Sequence, residues 1–321
     1  METPVLLITF NRPQHTKQVL EAILMARPQY LYVFQDGVRE GNADDLKKCA
    51  EVRKVIEDLT KDAQTQLYTF YSDHNLGCGP GPAAAISWFF EKEEMGIIIE
   101  DDAVPHLDFF TYSEELLQKY KDDDEIRAIG SMNVDTKKWG DGSYYFSMMN
   151  RNLCAWATWR RAWECFNICM LKVSRRQLKK ALRWYGCNVL EREYWCSRLD
   201  EIHKDGCGGK SWDMQFVMSI WLNHAKGIIP NVNLTSNIGT VVEATHAMHE
   251  GNLIDNIPTF PILPVIHPSS EEIQKESDRQ FHFRYFESSK ASWGIVKTYY
   301  YLLNKWIKKI VGHQGPWIKK K

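Results

Sequence analysis

Apolar positions along the first part of the chain alternate between two spacings. Residues 5–10 (VLLITF), 30–34 (YLYVF), 67–71 (LYTFY) and 96–99 (GIII) are short, nearly continuous apolar runs. Runs of this length, rich in β-branched and aromatic residues, predict strands buried on both faces. Between them the apolar spacing lengthens to three and four, which predicts helices over 14–25, 43–61 and 83–94. A helix near 109–120 and a strand near 126–130 continue the series. This alternation predicts an α/β fold whose parallel sheet carries helices on both faces, joined by right-handed crossovers.

The second half reads differently. A strand is expected at 144–149, an aromatic-rich helix at 157–170, a long basic helix at 175–196 and another helix at 212–224. A short strand at 228–234 leads into a polar loop at 235–250. Residues 251–270 carry four prolines and read as an extended connector. From 293 to 311, Lys297, Lys305, Lys308 and Lys309 fall on one helical face and Tyr300, Leu303, Ile307 and Ile310 on the other, with Trp306 and Trp317 beside the lysines. That composition suits either a helix lying on an anionic membrane surface or one packed on the body with a solvated basic face.

Composition narrows the function classes. Forty Lys and Arg against 41 Asp and Glu give a net charge of −1, which excludes a general nucleic-acid binder. Twelve tryptophans and 12% aromatic residues suit either a sugar- or base-binding cleft or a large aromatic core. The eight cysteines form no CxxC pair and show no zinc spacing. Cys165 and Cys169 are expected on one face of the 157–170 helix as core residues, and free thiols in this number fit a reducing cytoplasm. Met1-Glu2-Thr3-Pro4 runs straight into the first strand without a signal-peptide pattern, and no stretch of ~20 apolar residues predicts a membrane span.

Candidate chemistry concentrates at strand ends. The strand at 96–99 stops in Glu100-Asp101-Asp102. Three adjacent carboxylates repel one another, and packing has no use for them. Taken alone they read either as a solvated turn or as ligands for a hard divalent cation bound to a diphosphate, and the C-terminal edge of a parallel sheet is where open α/β folds bind ligands. Asn11-Arg12 follows the first strand, where an arginine can meet phosphate or a base carbonyl. Asp36 follows the second, where a carboxylate can accept from a base N–H or a ribose hydroxyl. Gly77-Cys78-Gly79-Pro80-Gly81-Pro82 precedes a helix and reads as a tight turn; it lacks the Lys-Ser/Thr of a phosphate-binding loop. Lys210-Ser211-Trp212-Asp213 opens a helix, with Ser211 as its cap and Asp213 as either a first-turn carboxylate or a general base. Thr245-His246 follows in the polar loop.

Taken in order, PVLLITFNR ending at Arg12, Phe34-Gln35-Asp36, Glu100-Asp101-Asp102 with Asp108-Phe109-Phe110, the tryptophan-rich block LCAWATWRRAW at 153–163 and Trp212-Asp213 resemble a GT-A-fold glycosyltransferase. The likeness, over about residues 4–250, is to N-acetylglucosaminyltransferase I and bacterial nucleotide-diphospho-sugar transferases. It implies a Rossmann-like, mixed but mostly parallel sheet, with a catalytic domain at 1–250 (a nucleotide-sugar half at 1–130 and an acceptor half at 131–250). A connector and basic amphipathic tail at 251–321 would follow.

The resemblance also implies roles. Asp102 would hold Mn²⁺ or Mg²⁺; His246, read from its place in the polar loop alone, is a candidate further metal ligand or phosphate contact. Asp101 would support the ribose or metal shell, Arg12 and Asp36 would hold the nucleoside, Glu100 would bind the donor sugar and Trp212 would wall its site. Asp213 would be the general base, and the 239–246 stretch would close over the donor. Two departures are visible: Asp213 is followed by Met-Gln rather than a second acid, and the glycine-rich loop lacks a basic residue for the diphosphate. The expected activity is metal-dependent, inverting transfer of a sugar such as GlcNAc from a UDP-sugar to a glycan or lipid-linked hydroxyl, as in bacterial polysaccharide assembly. Such an enzyme would be cytoplasmic or peripheral at the inner face of a membrane through residues 293–321. The alternatives are a retaining transferase, a sugar nucleotidyltransferase, or a non-catalytic carbohydrate-binding module.

Overall fold

The structure, a computed structural model, describes residues 1–135, 137–149, 154–206, 211–239, 256–285, 303–304 and 306–307. The first four apolar runs form parallel strands β1 (Val5–Thr9), β2 (Tyr30–Gln35), β3 (Gln66–Tyr71) and β4 (Met95–Glu100). Helices α1 (Pro13–Met25), α2 (Ala43–Thr60) and α3 (Pro80–Phe90) connect them. Side chains of successive strand residues enter opposite layers. Leu6, Ile8, Tyr32, Phe34 and Ile98 join one core, and Val5, Leu7, Leu31, Val33, Ile97 and Ile99 join the other. This explains why the strands are apolar throughout.

Beyond β4 come β5 (Ala103–Pro105), α4 (Asp108–Lys119), β6 (Ile126–Gly130), β7 (Tyr144–Ser147), β8 (Ala155–Trp159), β9 (Lys226–Pro230) and β10 (Thr235–Asn237). Among the described residues the main sheet has eight strands in the order β3-β2-β1-β4-β8-β6-β9-β7. β8 runs antiparallel to both β4 and β6, and β7 antiparallel to β9; the remaining pairings are parallel. The mixed, mostly parallel sheet therefore matches expectation, and residues from both sides of position 130 share it. β5 and β10 form a separate two-stranded antiparallel ribbon.

Three readings of the second half are corrected. The stretch expected as one helix over 157–170 is β8 followed by a single turn, α5 (Arg160–Trp163), because Ala155, Trp156 and Ala157 are all fully buried in the sheet. The basic helix over 175–196 is two helices, α6 (Arg175–Trp184) and α7 (Val189–Asp205). Gly186, at φ +84°, turns the chain between them, and Asn188 with Glu191 forms a reciprocal capping box that starts α7. The polar loop begins with β10, and the late strand ends at Pro230. Cys165 and Cys169 share no helix; Cys169 is disulfide-bonded, while Cys165 and five further described cysteines are free thiols. Among the described residues no helix is long and apolar enough to cross a membrane.

Helices α1, α2 and α4 cover one face of the sheet; α3, α6, α7 and α8 (Asp213–Leu222) cover the other. Close packing of α3 on β4 depends on Gly96. A methyl group there would lie 2.3 Å from Phe89 Cζ and 2.9 Å from the Pro4 carbonyl oxygen. Gly96→Ala is expected to cost ~1–3 kcal/mol through overpacking, read as a lower denaturation midpoint at unchanged slope.

The described part of the connector is extended and strapped to the body. Asp108 accepts from the Ile262 N–H at 2.9 Å, and Ser143 Oγ accepts from the Ile266 N–H at 2.9 Å. It leads to α9 (Lys275–Tyr285), where Asp278 accepts from Ser147 Oγ at 2.5 Å and from the Met148 N–H at 3.0 Å. His282 on α9 is buried beside Tyr194 and Trp195, and burial pushes its imidazole down to about 4. The unfolded chain takes up this proton near pH 6.5 and the folded protein does not. The stabilisation is thus complete above pH 6.5, is lost as pH falls toward 4, and amounts to about 3 kcal/mol at most. Urea melts at pH 7.5 and 4.5 should show wild type losing more stability across that interval than His282→Gln.

Candidate functional site

Because β1, β2 and β4 are parallel, their C-terminal ends open on one edge of the sheet. Arg12 stands there at the N-cap position of α1, held by the turn at Phe10 and by Pro13 in the first helical position. Its Nη1 donates to Asp102 Oδ2 at 3.0 Å and to Asp101 Oδ1 at 3.4 Å. The second oxygen of Asp101 accepts from the Phe10 N–H at 3.3 Å. Burial opposes charge on Arg12, but Asp101, Asp102 and Glu100 more than offset it, and its pKa is raised. Burial likewise pushes the Asp101 carboxyl up to about 7 despite Arg12.

Glu100 is raised well above the ordinary carboxylate range, first by burial and then by the charges of Asp102, Asp101 and Asp213. A side-chain hydrogen bond from Trp212 opposes that rise. Indole has one polar hydrogen, so its N–H is the donor. Trp212 itself is fixed from the other side. Its ring stacks on Trp156 at 5.7 Å and meets Trp163 edge-on at 6.0 Å, and Phe216 fills the gap at 5.0 Å from Trp156. Trp156 is placed by the pairing of β8 with β4, directly beside Ile98.

Trp212 is the N-cap residue of α8 and Asp213 its first helical residue. Contrary to the expectation from sequence, Ser211 does not cap the helix; its hydroxyl donates to Asp213 instead. The Ser211 carbonyl is in turn held by Gln215 Nε2 at 2.7 Å. Asp213 is exposed, so it faces the acidic edge with a solvent-accessible carboxylate.

The ribbon of β5 and β10 brings residues 237–239 over the triplet. The Ile238 N–H donates to the Asp102 carbonyl oxygen at 2.8 Å, and His15 Nε2 lies 3.2 Å from the Ile238 carbonyl oxygen. A methyl group on Gly239 would sit 2.2 Å from Asp102 Oδ2. The carboxylate is thus wedged between Arg12 and this turn. Its Oδ1 is buried and has no hydrogen-bond partner among the described residues. Such an atom costs free energy unless something meets it, and a cation would. Among the described residues no group of three or more His, Cys, Asp or Glu side chains is arranged to hold a metal ion.

Asp36 stands apart from this arrangement. Its Oδ1 accepts from the N–H groups of Gly37 and Leu76, both at 2.8 Å, and its Oδ2 from Gly77 N–H at 2.9 Å and Asn75 Nδ2 at 3.0 Å. These four bonds fill both oxygens, so Asp36 shapes the 75–77 loop rather than offering a free acceptor to a nucleoside. Trp212 is 4% exposed and packs against Trp156 and Trp163 beside the acidic edge. The glycine-rich turn is structural. Pro80 and Pro82 have no N–H, and the Gly81 and Ala83 N–H groups bond to Gly77 and Gly79 at 2.9 and 3.4 Å. His246 and the rest of 240–255 lie outside the described residues.

The structure therefore brings together Arg12, Glu100, Asp101, Asp102, Trp212 and Asp213. Sequence reasoning missed His15, Cys154 and Asn237. Cys154 gives its carbonyl to the Glu100 N–H at 2.7 Å, and Asn237 Oδ1 accepts from the Gly239 N–H at 2.9 Å. Nothing local marks these residues: strand pairing brings Cys154 and Asn237 to the triplet, and the first turn of α1 brings His15 to the Ile238 carbonyl.

No protein-family model matches the chain, and no curated protein matches it. Among solved structures, apo UDP-glucose pyrophosphorylase overlaps 74% of this chain and 93% of its own, at 10% identity and a TM-score of 0.40. Mouse xyloside xylosyltransferase 1 overlaps 70% and 83% respectively, at 12% identity and 0.31. HddC from Yersinia pseudotuberculosis overlaps 50% and 79%, also at 12% and 0.31. All three overlaps are partial, so any assignment of chemistry rests on the residues of this chain.

Proposed function

We propose that this protein is a metal-assisted, inverting glycosyltransferase of the GT-A kind. In this reading it moves a sugar from a nucleotide-diphospho-sugar to a hydroxyl of a glycan or lipid-linked acceptor. The observation that carries the proposal is the meeting of Asp102, whose buried oxygen has no partner among the described residues, and the Trp212–Asp213 pair at one end of β4.

Asp102 would hold Mn²⁺ or Mg²⁺, with Glu100 or Asp101 at its side. Two carboxylates with substrate phosphates and water form an ordinary site for such an ion. When bound, the ion would neutralise charge on the departing diphosphate. Arg12 would exchange one of its carboxylate partners for a phosphate oxygen, keeping the edge electrically balanced. Glu100 would accept from a hydroxyl of the donor sugar through a carboxylate oxygen. Asp36 would act on the nucleoside through the loop it shapes.

Asp213 supplies the base. As the acceptor oxygen attacks the anomeric carbon, its proton passes to the Asp213 carboxylate, and the bond from that carbon to the diphosphate oxygen breaks with its electron pair leaving on the nucleotide. Attack from the face opposite the leaving group inverts the centre. The exposed position of Asp213 leaves room for an acceptor to approach.

A thermal-shift screen of nucleotide sugars with Mn²⁺, beginning with UDP-GlcNAc, tests the reading, because a ligand of the native state raises apparent stability. We expect a shift that needs both donor and metal, and at least a tenfold loss of that metal-dependent donor affinity in Asp102→Ala. Unchanged affinity in the variant would remove Asp102 from the metal site. Release of the nucleoside diphosphate, rather than pyrophosphate, separates glycosyl from nucleotidyl transfer.

A further inference from the structure

We infer that the outer face of α6 is a docking surface for an anionic lipid bilayer. Leu178, Ala181 and Leu182 turn inward and are buried. At 3.6 residues per turn, Arg176, Lys180 and Arg183 fall within an arc of about 60° on the opposite side. All three are exposed, as is Lys172 just ahead of the helix, and none has an ion-pair partner among the described residues. The basic residues on the flank differ. Arg175 is taken by Glu193 at 2.6 Å and Asp200 at 2.5 Å, and Lys179 by Glu193. Neutralising partners thus occur beside the stripe and not along it, in a chain whose net charge is −1. The concentrated charge is local to this face and not a by-product of a basic protein.

Two large exposed apolar side chains flank the stripe in sequence, Leu171 in the turn before α6 and Trp184 at its last residue. Leu171 is 64% exposed and Trp184 57% exposed, with the Trp184 ring 4.9 Å from that of the exposed residue His224. A soluble polyanion would reward the cations alone. A bilayer rewards both, because headgroups meet the cations while leucine and tryptophan enter the acyl boundary. The exposed Leu303, Trp306 and Ile307 have the same apolar character, in a stretch of sequence that also holds Lys305, Lys308 and Lys309. The docking surface stands whether or not the transfer reading is correct. It also has a positional consequence, since α6 packs on α8, the helix that Asp213 begins.

The test is co-sedimentation of the full chain with phosphatidylcholine vesicles and with vesicles containing phosphatidylglycerol, at ~0.1 M salt. The wild type should partition to the anionic vesicles and not to the neutral ones. Arg176→Gln/Lys180→Gln/Arg183→Gln should lower that partition by about a hundredfold, following the usual increment per surface cation. Trp184→Ala should lower it several-fold. Unaltered thermal melts of both variants establish that their folds are intact, which the exposure of all four side chains favours. Wild-type-like partition of the triple variant would overturn the proposal. So would equal loss of binding to heparin and vesicles in the triple variant with no effect of Trp184→Ala, which would make the face a polyanion site instead.

Discussion

Asp213→Asn is expected to lower sugar transfer by ~10²–10⁴-fold, the usual contribution of a general base, while nucleotide-sugar binding stays as in wild type. Asparagine fills nearly the same volume and can still accept from the Ser211 hydroxyl, so the start of α8 should be preserved. What it cannot do is take the proton from the acceptor. Metal-dependent donor affinity, measured by calorimetry beside single-turnover transfer, separates the two properties. Loss of donor binding together with transfer would make Asp213 a ligand-holding residue. Full activity would return it to the ordinary role of a first-turn carboxylate favoured by the helix dipole.

Trp212 gives the second large effect, and two substitutions divide its contributions. Trp212→Ala removes a nearly buried ring from between Trp156 and Trp163 and should cost ~3–5 kcal/mol of stability. Trp212→Phe keeps most of that packing and deletes the N–H that meets Glu100. It should therefore cost less stability, but leave Glu100 short of a donor and raise the KM for the sugar nucleotide. Denaturant melts and steady-state kinetics on both variants check this. If phenylalanine restores stability and donor KM alike, the indole N–H has no part in the site.

The parallel half of the fold was legible because its strands are buried on both faces and so contain little but apolar residues. The tryptophan-rich block was misread for the opposite reason: a short aromatic run such as AWATW fits a buried helix or a central strand equally well. The break between α6 and α7 did have a signal, since Gly186 and the Asn188…Glu191 spacing mark a helix end and a new start. Within the candidate site, the residue types were readable at Arg12, Glu100–Asp102 and Trp212–Asp213. Their division of labour was not. Whether Asp36 has a free oxygen depends on the 75–77 loop, and whether Trp212 is surface or core depends on where β8 lies. Neither follows from spacing along the chain.

The position of β8 also governs how the protein can be made. Its residues 155–159 lie between β4 and β6, so β6 cannot close the sheet against β4 on its own. During synthesis the strand bearing Ile97, Ile98 and Ile99 is complete more than fifty residues before its second partner leaves the ribosome. Over that interval it presents an unpaired apolar edge, the kind that templates pairing with other chains. Pairing across such a separation in sequence is non-local, the kind of contact that forms slowly. A fragment ending before residue 155 would carry that exposed edge permanently.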